Sequence, residues 1–306
     1  MLTAIQSVLA IILVIAFGVF AGKKKIINPD ISKTLSVFVM SFTFPAVLFT
    51  SIAGSKVEDL MNFKFMFVFF LSLMFLYFVI FYMQTLLFKR NKQVAAMAAF
   101  ACTFPNMAFM GIPYLTEVLG SGSLISVAIG NVITSVFMIP ITIIYLEGKS
   151  GGSKVFLNEM TKLIKKPLII APVLGIIFAF AGIHVPDFIM NGLKILGSAT
   201  SPVALFALGL MMVKFQFKFS KDAAANILIK LIAQPVVAVI FILVLGVSGM
   251  FAKEIIILTA MPSAVIVSMF AEKYDVYKDE TVSTIIGGSV LSIITLVLFT
   301  VLANVF

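Results

Sequence analysis

The sequence predicts an all-α integral membrane protein: ten transmembrane helices in two inverted five-helix repeats. Three observations predict it: the composition, the alternation of positive charge between apolar blocks, and an internal repeat at one fixed offset. Of the 306 residues, 61% are apolar and 11% charged, and the mean hydropathy is +1.18. A soluble globular chain is about 45–50% apolar and 25% charged. So few charges leave this apolar surface no aqueous shell, and in lipid only helices or a closed barrel satisfy the backbone. Barrel strands alternate apolar and polar residues, whereas this chain carries unbroken apolar blocks of helical length such as Phe65–Phe88.

Taken in order, the blocks place spans at roughly 3–21, 32–53, 64–88, 94–119, 123–146, 167–184, 191–213, 223–247, 254–271 and 282–304. The first begins without Lys or Arg and is long enough to span, which argues against a cleaved signal peptide. The domain reading is a first repeat over 1–146, a cytoplasmic connection over 147–166 and a second, inverted repeat over 167–306.

Charge sets the orientation. Odd-numbered connections hold Lys23, Lys24, Lys25, Lys33, Lys89, Arg90, Lys92, Lys149, Lys154, Lys162, Lys165, Lys166, Lys214, Lys218, Lys221, Lys273 and Lys278. Even-numbered ones hold only Lys56, Lys64, Lys194 and Lys253. The positive-inside rule makes the odd side cytoplasmic and both termini external, in a multi-pass protein of the plasma or inner membrane. The net charge of +9 is thereby an orientation signal rather than a nucleic-acid footprint. The run Lys23–Lys25 serves orientation first and anionic-lipid contact second.

A single ungapped shift of 157 residues relates the halves. Gly18 falls on Gly175, Pro29-Asp30 on Pro186-Asp187, Pro105 on Pro262, Gly130 on Gly287 and Ser135 on Ser292. Pro45 falls on Pro202, within Thr43-Phe-Pro-Ala-Val-Leu-Phe49 and Thr200-Ser-Pro-Val-Ala-Leu-Phe206. Chance gives about 0.2 proline pairs at one such offset; three occur. Five spans per half, an odd number, invert the second repeat, a design suited to alternating access.

The polar chemistry gathers where proline interrupts two spans. The fourth reads Ala101-Cys-Thr-Phe-Pro-Asn-Met-Ala-Phe-Met-Gly-Ile-Pro113, and the ninth carries Thr259-Ala-Met-Pro-Ser263 at equivalent depth. Proline removes a donor and clashes with the preceding turn. Matched breaks in the two halves mark a midplane transport site, and the half-helix after each break offers free N–H groups and a positive dipole end to an anion. Thr103, Pro105, Asn106, Pro262 and Ser263 are therefore the central candidates. Thr43, Asn131, Ser135, Ser289 and Ser292 are outer candidates for a substrate path, although such residues also serve as interhelical glue.

No Asp or Glu falls at the centre of a predicted span. That leaves a uniporter, or proton or sodium coupling through Glu117, backbone carbonyls and hydroxyls. Lys230, about two turns inside the eighth span, reads as a snorkelling residue. Cys102 reads as a small packing residue, and His184 alone makes no metal site. No cofactor is expected, and no metal cluster or nucleophile–base pair points to an enzyme.

At these residues the chain resembles the auxin efflux carrier family, which includes bacterial malate and malonate permeases and plant carriers. The resemblance is carried by Phe104-Pro-Asn-Met-Ala-Phe-Met-Gly-Ile-Pro-Tyr114, and by Met261-Pro-Ser-Ala264 with Ala271-Glu-Lys-Tyr274. Lys166-Pro-Leu-Ile-Ile170 and Pro202-Val-Ala-Leu-Phe-Ala-Leu-Gly209 support it. It implies a fold like that of sodium–bile acid symporters, with helices four and nine crossing at their breaks. It also implies a scaffold of helices 1, 2, 6 and 7, a transport unit of helices 3–5 and 8–10, elevator movement, a homodimer, and Asn106 in the substrate site. The short connection at 147–166 departs from the plant carriers and favours a small organic anion, such as a dicarboxylate like malate, over auxin. Sodium-coupled symport of another substrate and a non-transporting membrane sensor are the alternatives.

Overall fold

Apolar runs closed by polar caps fold into helices, and their interruptions shape the site. The computed structural model describes residues 2–55, 62–147, 161, 165–214 and 220–306. Among them are α1 (Leu2–Lys23), α2 (Ile31–Ala53), α3 (Phe63–Leu87), α4 (Lys92–Thr103), α5 (Met107–Leu119) and α6 (Ser121–Glu147). The second half holds α7 (Pro167–Ala181), α8 (Asp187–Lys214), α9 (Lys221–Leu245), α10 (Met250–Ala260), α11 (Ile266–Tyr274) and α12 (Lys278–Ala303).

Six of these, α2, α3, α6, α8, α9 and α12, are long and apolar enough to cross a membrane unaided. Their outward faces carry large apolar side chains such as Phe188, Val244 and Ile294, each at least 70% exposed. Water would not tolerate so many; lipid does. Most of the expected connection at 147–166, with Lys149, Lys154 and Lys162, lies outside the described residues, as do Lys56 and Lys218.

Local chemistry sets the ends. The side chains of Asn62, Asn91 and Ser220 accept from the backbone N–H groups of Phe65, Val94 and Ala223, capping α3, α4 and α9. Gly182 and Gly246 close α7 and α9 in the left-handed region (φ +63° at each).

Five π-helical turns occur among the described residues: Val39–Thr43, Met83–Leu87, Met107–Gly111, Thr134–Met138 and Ile229–Ala233. All but Met83–Leu87, which ends α3, close two residues before a proline: Pro45, Pro113, Pro140 and Pro235. A proline ring clashes with the carbonyl four residues earlier, and widening the turn by one residue relieves the clash without ending the helix.

Packing sorts the helices into two groups. In one, α1 lies on α8, and α2 on α7 and α8. In the other, α3, α4, α6, α9, α10, α11 and α12 pack together, and α5 bridges toward α1 and α8. The α1–α8 approach is very close. A Cβ on Gly18 would stand 2.2 Å from the Phe206 carbonyl oxygen, and one on Gly209 2.2 Å from that of Ile15. Only glycine permits it.

Contacts around Asp30, Arg90, Glu147, Lys214, Asp222 and Tyr274–Tyr277 gather at one end of the bundle. Lys214 pairs with Asp30 at 3.0 Å, and Arg90 with Asp222 at 2.6 Å. The Arg90 guanidinium also lies 5.9 Å from the centre of the Tyr277 ring, and the Tyr274 hydroxyl donates to Glu147 at 3.1 Å. The Asp222 partner holds the Arg90 pKa above its ordinary value. At the opposite end, the Gly249 N–H donates to the Phe306 carbonyl.

Candidate functional site at the helix crossing

Two broken helices meet back to back at the centre. The break between α4 and α5 faces the break between α10 and α11 through a short antiparallel bridge pairing Pro105 with Ser263. The Asn106 N–H donates to the Pro262 carbonyl at 2.9 Å, and the Ala264 N–H to the Phe104 carbonyl at 3.0 Å.

The prolines explain why the ladder stops there. Pro105 occupies the non-hydrogen-bonded pair, where a missing donor costs nothing. Pro262 cannot return a bond to the Asn106 carbonyl. That oxygen accepts from Met110 and Gly111 instead and so begins α5.

The side chains at the bridge are buried and partly unspent. Asn106 is 2% exposed and Ser263 fully buried, and among the described residues neither the Asn106 Nδ2 nor the Ser263 Oγ has a hydrogen-bond partner. An unpaired buried polar group costs about 1–3 kcal/mol. Two such groups, next to the N-terminal ends of α5 and α11, make a site with donors to offer an anion.

α12 passes the crossing at Gly288, where an added Cβ would lie 3.8 Å from the Cβ of Pro262. The adjacent Ser289 is likewise buried with an unpartnered Oγ. It lines a small cavity with Ile11, Ile12 and Ile15 of α1, Met110 of α5, and Ile293 and Leu296 of α12. That cavity lies between the two helix groups.

The other candidates are placed differently. Thr103 is buried, its hydroxyl donating to the Ala99 carbonyl within its own helix. Ser292 donates to the Ser289 carbonyl in the same way, and Thr43 stands 3.5 Å from the Val39 carbonyl in the π turn of α2. The Asn131 amide donates to the Leu168 carbonyl at 3.3 Å, joining α6 to α7. Ser135 is buried on α6. Glu117 is exposed on α5, away from the bridge.

The structure corrects one reading and adds residues. Lys230 does not snorkel. It is fully buried, and its ammonium donates to the Gln234 side-chain oxygen and to the Thr259 carbonyl, the latter at 3.0 Å. A Lys–Gln pair spaced i, i+4 inside one apolar span was the available signal that both share an inward face.

Glu254 is a buried carboxylate that accepts from the Ser126 hydroxyl. It lies at the edge of the run expected at 254–271, and α10, which begins at Met250, carries it inside. Asn226 links the Cys102 thiol, 3.3 Å from its Oδ1, to the Tyr277 and Thr284 hydroxyls, each 3.2 Å from its Nδ2.

Comparison with known proteins agrees with this architecture. A family model described as "Membrane transport protein" matches residues 3–300. The uncharacterized transporter YfdV of Escherichia coli (strain K12) is 26% identical over 279 residues, 89% of each chain. A Rhizobium meliloti (strain 1021) protein, provisionally named a malonate transporter, is 23% identical over 85% of this chain and 83% of its own. Auxin efflux carrier component 6 of Arabidopsis thaliana is 27% identical over 149 residues, 46% of this chain and 26% of the plant protein. With a match over nearly its whole length, the chain belongs to the membrane transport protein family of the auxin efflux carriers, and it is a transporter rather than an enzyme.

Proposed function

We propose that this transporter carries small organic anions, with a dicarboxylate such as malate or malonate as the leading substrate class. The observation that carries the reading is the pair of buried, unpartnered polar groups, Asn106 Nδ2 and Ser263 Oγ, at the bridge between two broken helices. A carboxylate entering there would take hydrogen bonds from both and face the positive ends of α5 and α11. The relatives named for malonate and auxin share the chemistry of a carboxylate substrate.

The ten-span, inverted-repeat arrangement is part of the proposal. The 157-residue shift maps the bridge pair Pro105–Ser263 onto Pro262–Asn106, so the pairing suits a twofold axis through the crossing. On this reading α4–α5 and α10–α11 are the fourth and ninth spans. α1, α2, α7 and α8 form the scaffold of a homodimer, the remaining helices move as an elevator, and the lysine-rich end faces the cytoplasm.

Uptake by proteoliposomes tests the function, using labelled malate, malonate and indole acids. Asn106→Ala should lower uptake of the preferred anion by about 10- to 150-fold, the loss of one hydrogen bond to a charged group. Unchanged uptake by the variant, or no uptake of any organic acid by the wild type, would refute the reading.

A further inference from the structure

The prolines that open the crossing also orphan two carbonyls, and the structure shows what meets them. In an unbroken helix the Thr103 carbonyl would accept from the N–H of Met107, and that of Thr259 from Ser263. Here the Met107 N–H turns to Pro105, and the chain leaves helical geometry at Met261. Both half-helices, α4 and α10, therefore end in buried carbonyls, each end equivalent to roughly half a negative charge.

One pair of side chains from α9 serves both ends. Lys230 donates directly to the Thr259 carbonyl at 3.0 Å and to the Gln234 side-chain oxygen. Gln234 in turn donates through Nε2 to the Thr103 carbonyl at 2.7 Å. Both residues are fully buried. The π turn at Ile229–Ala233 is what sets Lys230 and Gln234 one widened turn apart. Unwound carbonyls and half-helix C-termini are the chemistry by which broken transport helices hold a dissociable cation.

We propose that the Lys230 ammonium is a tethered cation at the crossing, occupying the negative ends of α4 and α10 where a sodium ion would otherwise be needed. The summed end charge of about one unit matches one ammonium. Transport by this chain then proceeds without sodium. The consequence for uptake rests on the carrier reading above; the occupancy of the crossing does not.

Thermal unfolding of the purified full chain, in sodium chloride and in choline chloride at equal ionic strength, tests the occupancy. The wild type should unfold at the same temperature in both salts. Lys230→Ala, which leaves Thr259 and Gln234 oxygens facing an emptied site, should unfold at lower temperature in choline. It should then recover saturably with sodium, by about 2–4 °C for a site roughly tenfold saturated. Lys230→Arg, which keeps the charge, should remain indifferent to sodium.

Saturable stabilisation of the wild type by sodium would overturn the proposal, and that titration needs no variant to fold. Equal stability of Lys230→Ala and wild type in choline would overturn it too. In proteoliposomes, wild-type uptake should persist when choline replaces sodium. Absence of organic-acid uptake in either salt would count against the carrier reading alone, while uptake that requires sodium would count against the tethered cation.

Discussion

Asn106 shows how much one residue does at the crossing. Its N–H completes the bridge to Pro262, its carbonyl starts α5, and only its side-chain amide is left unspent. On the proposed reading, function and fold therefore separate at this residue. Asn106→Ala keeps both backbone roles, so its melting temperature should stay within a few degrees of wild type while uptake falls. Glu254 has no such separation. It lies buried against Ser126, and Glu254→Ala strands that hydroxyl, so unfolding measurements should show a loss of about 1–3 kcal/mol.

The limits of sequence reading are also clearest at single residues. Pro105, Asn106, Pro262 and Ser263 were legible as a pair of matched breaks, because proline acts on the backbone wherever its neighbours lie. Lys230 and Glu254 were not. Whether a charge near the end of an apolar run faces lipid, water or a neighbouring carbonyl depends on helix phase, and a π turn shifts that phase. At Ile229–Ala233 the only mark of the π turn in the sequence is Pro235, two residues beyond it.

Among the elements, α3 is the simplest case. Its apolar run was expected at 64–88 and folds as Phe63–Leu87, with no proline or break inside it and a π turn only at its end. The run at 254–271, expected to break at Pro262, divides into α10 and α11 around Met261–Val265. Contact between α1 and α8 rests on a different feature, the absence of side chains at Gly18 and Gly209. Gly209→Ala forces a methyl group to within 2.2 Å of the Ile15 carbonyl. Separation of the two helices should cost about 1–3 kcal/mol, read as a lowered unfolding midpoint, and still more for Gly209→Leu. An unchanged midpoint would mean that the two helices part without cost.

At the scale of the whole molecule, ion pairs and aromatic contacts tie Asp30 to Lys214, Arg90 to Asp222 and Tyr277, and Tyr274 to Glu147 at one end of the bundle. Which end faces the cytoplasm is a matter for labelling. With Cys102 replaced by alanine, Lys24→Cys should resist an impermeant thiol reagent in intact cells and react after permeabilisation; reaction in intact cells would invert the orientation. The Arg90–Asp222 pair at that end is partly exposed, and a double-mutant cycle should give a coupling of about 0.5–1 kcal/mol that weakens with salt.

The central claim is that an organic anion binds at the crossing of the two broken helices. Titrating malate and malonate against purified wild type and Asn106→Ala, followed by thermal unfolding, tests it most directly. The account predicts saturable stabilisation of the wild type by at least one of them, and an affinity at least about tenfold weaker in the variant. Equal affinity in the two proteins would contradict it.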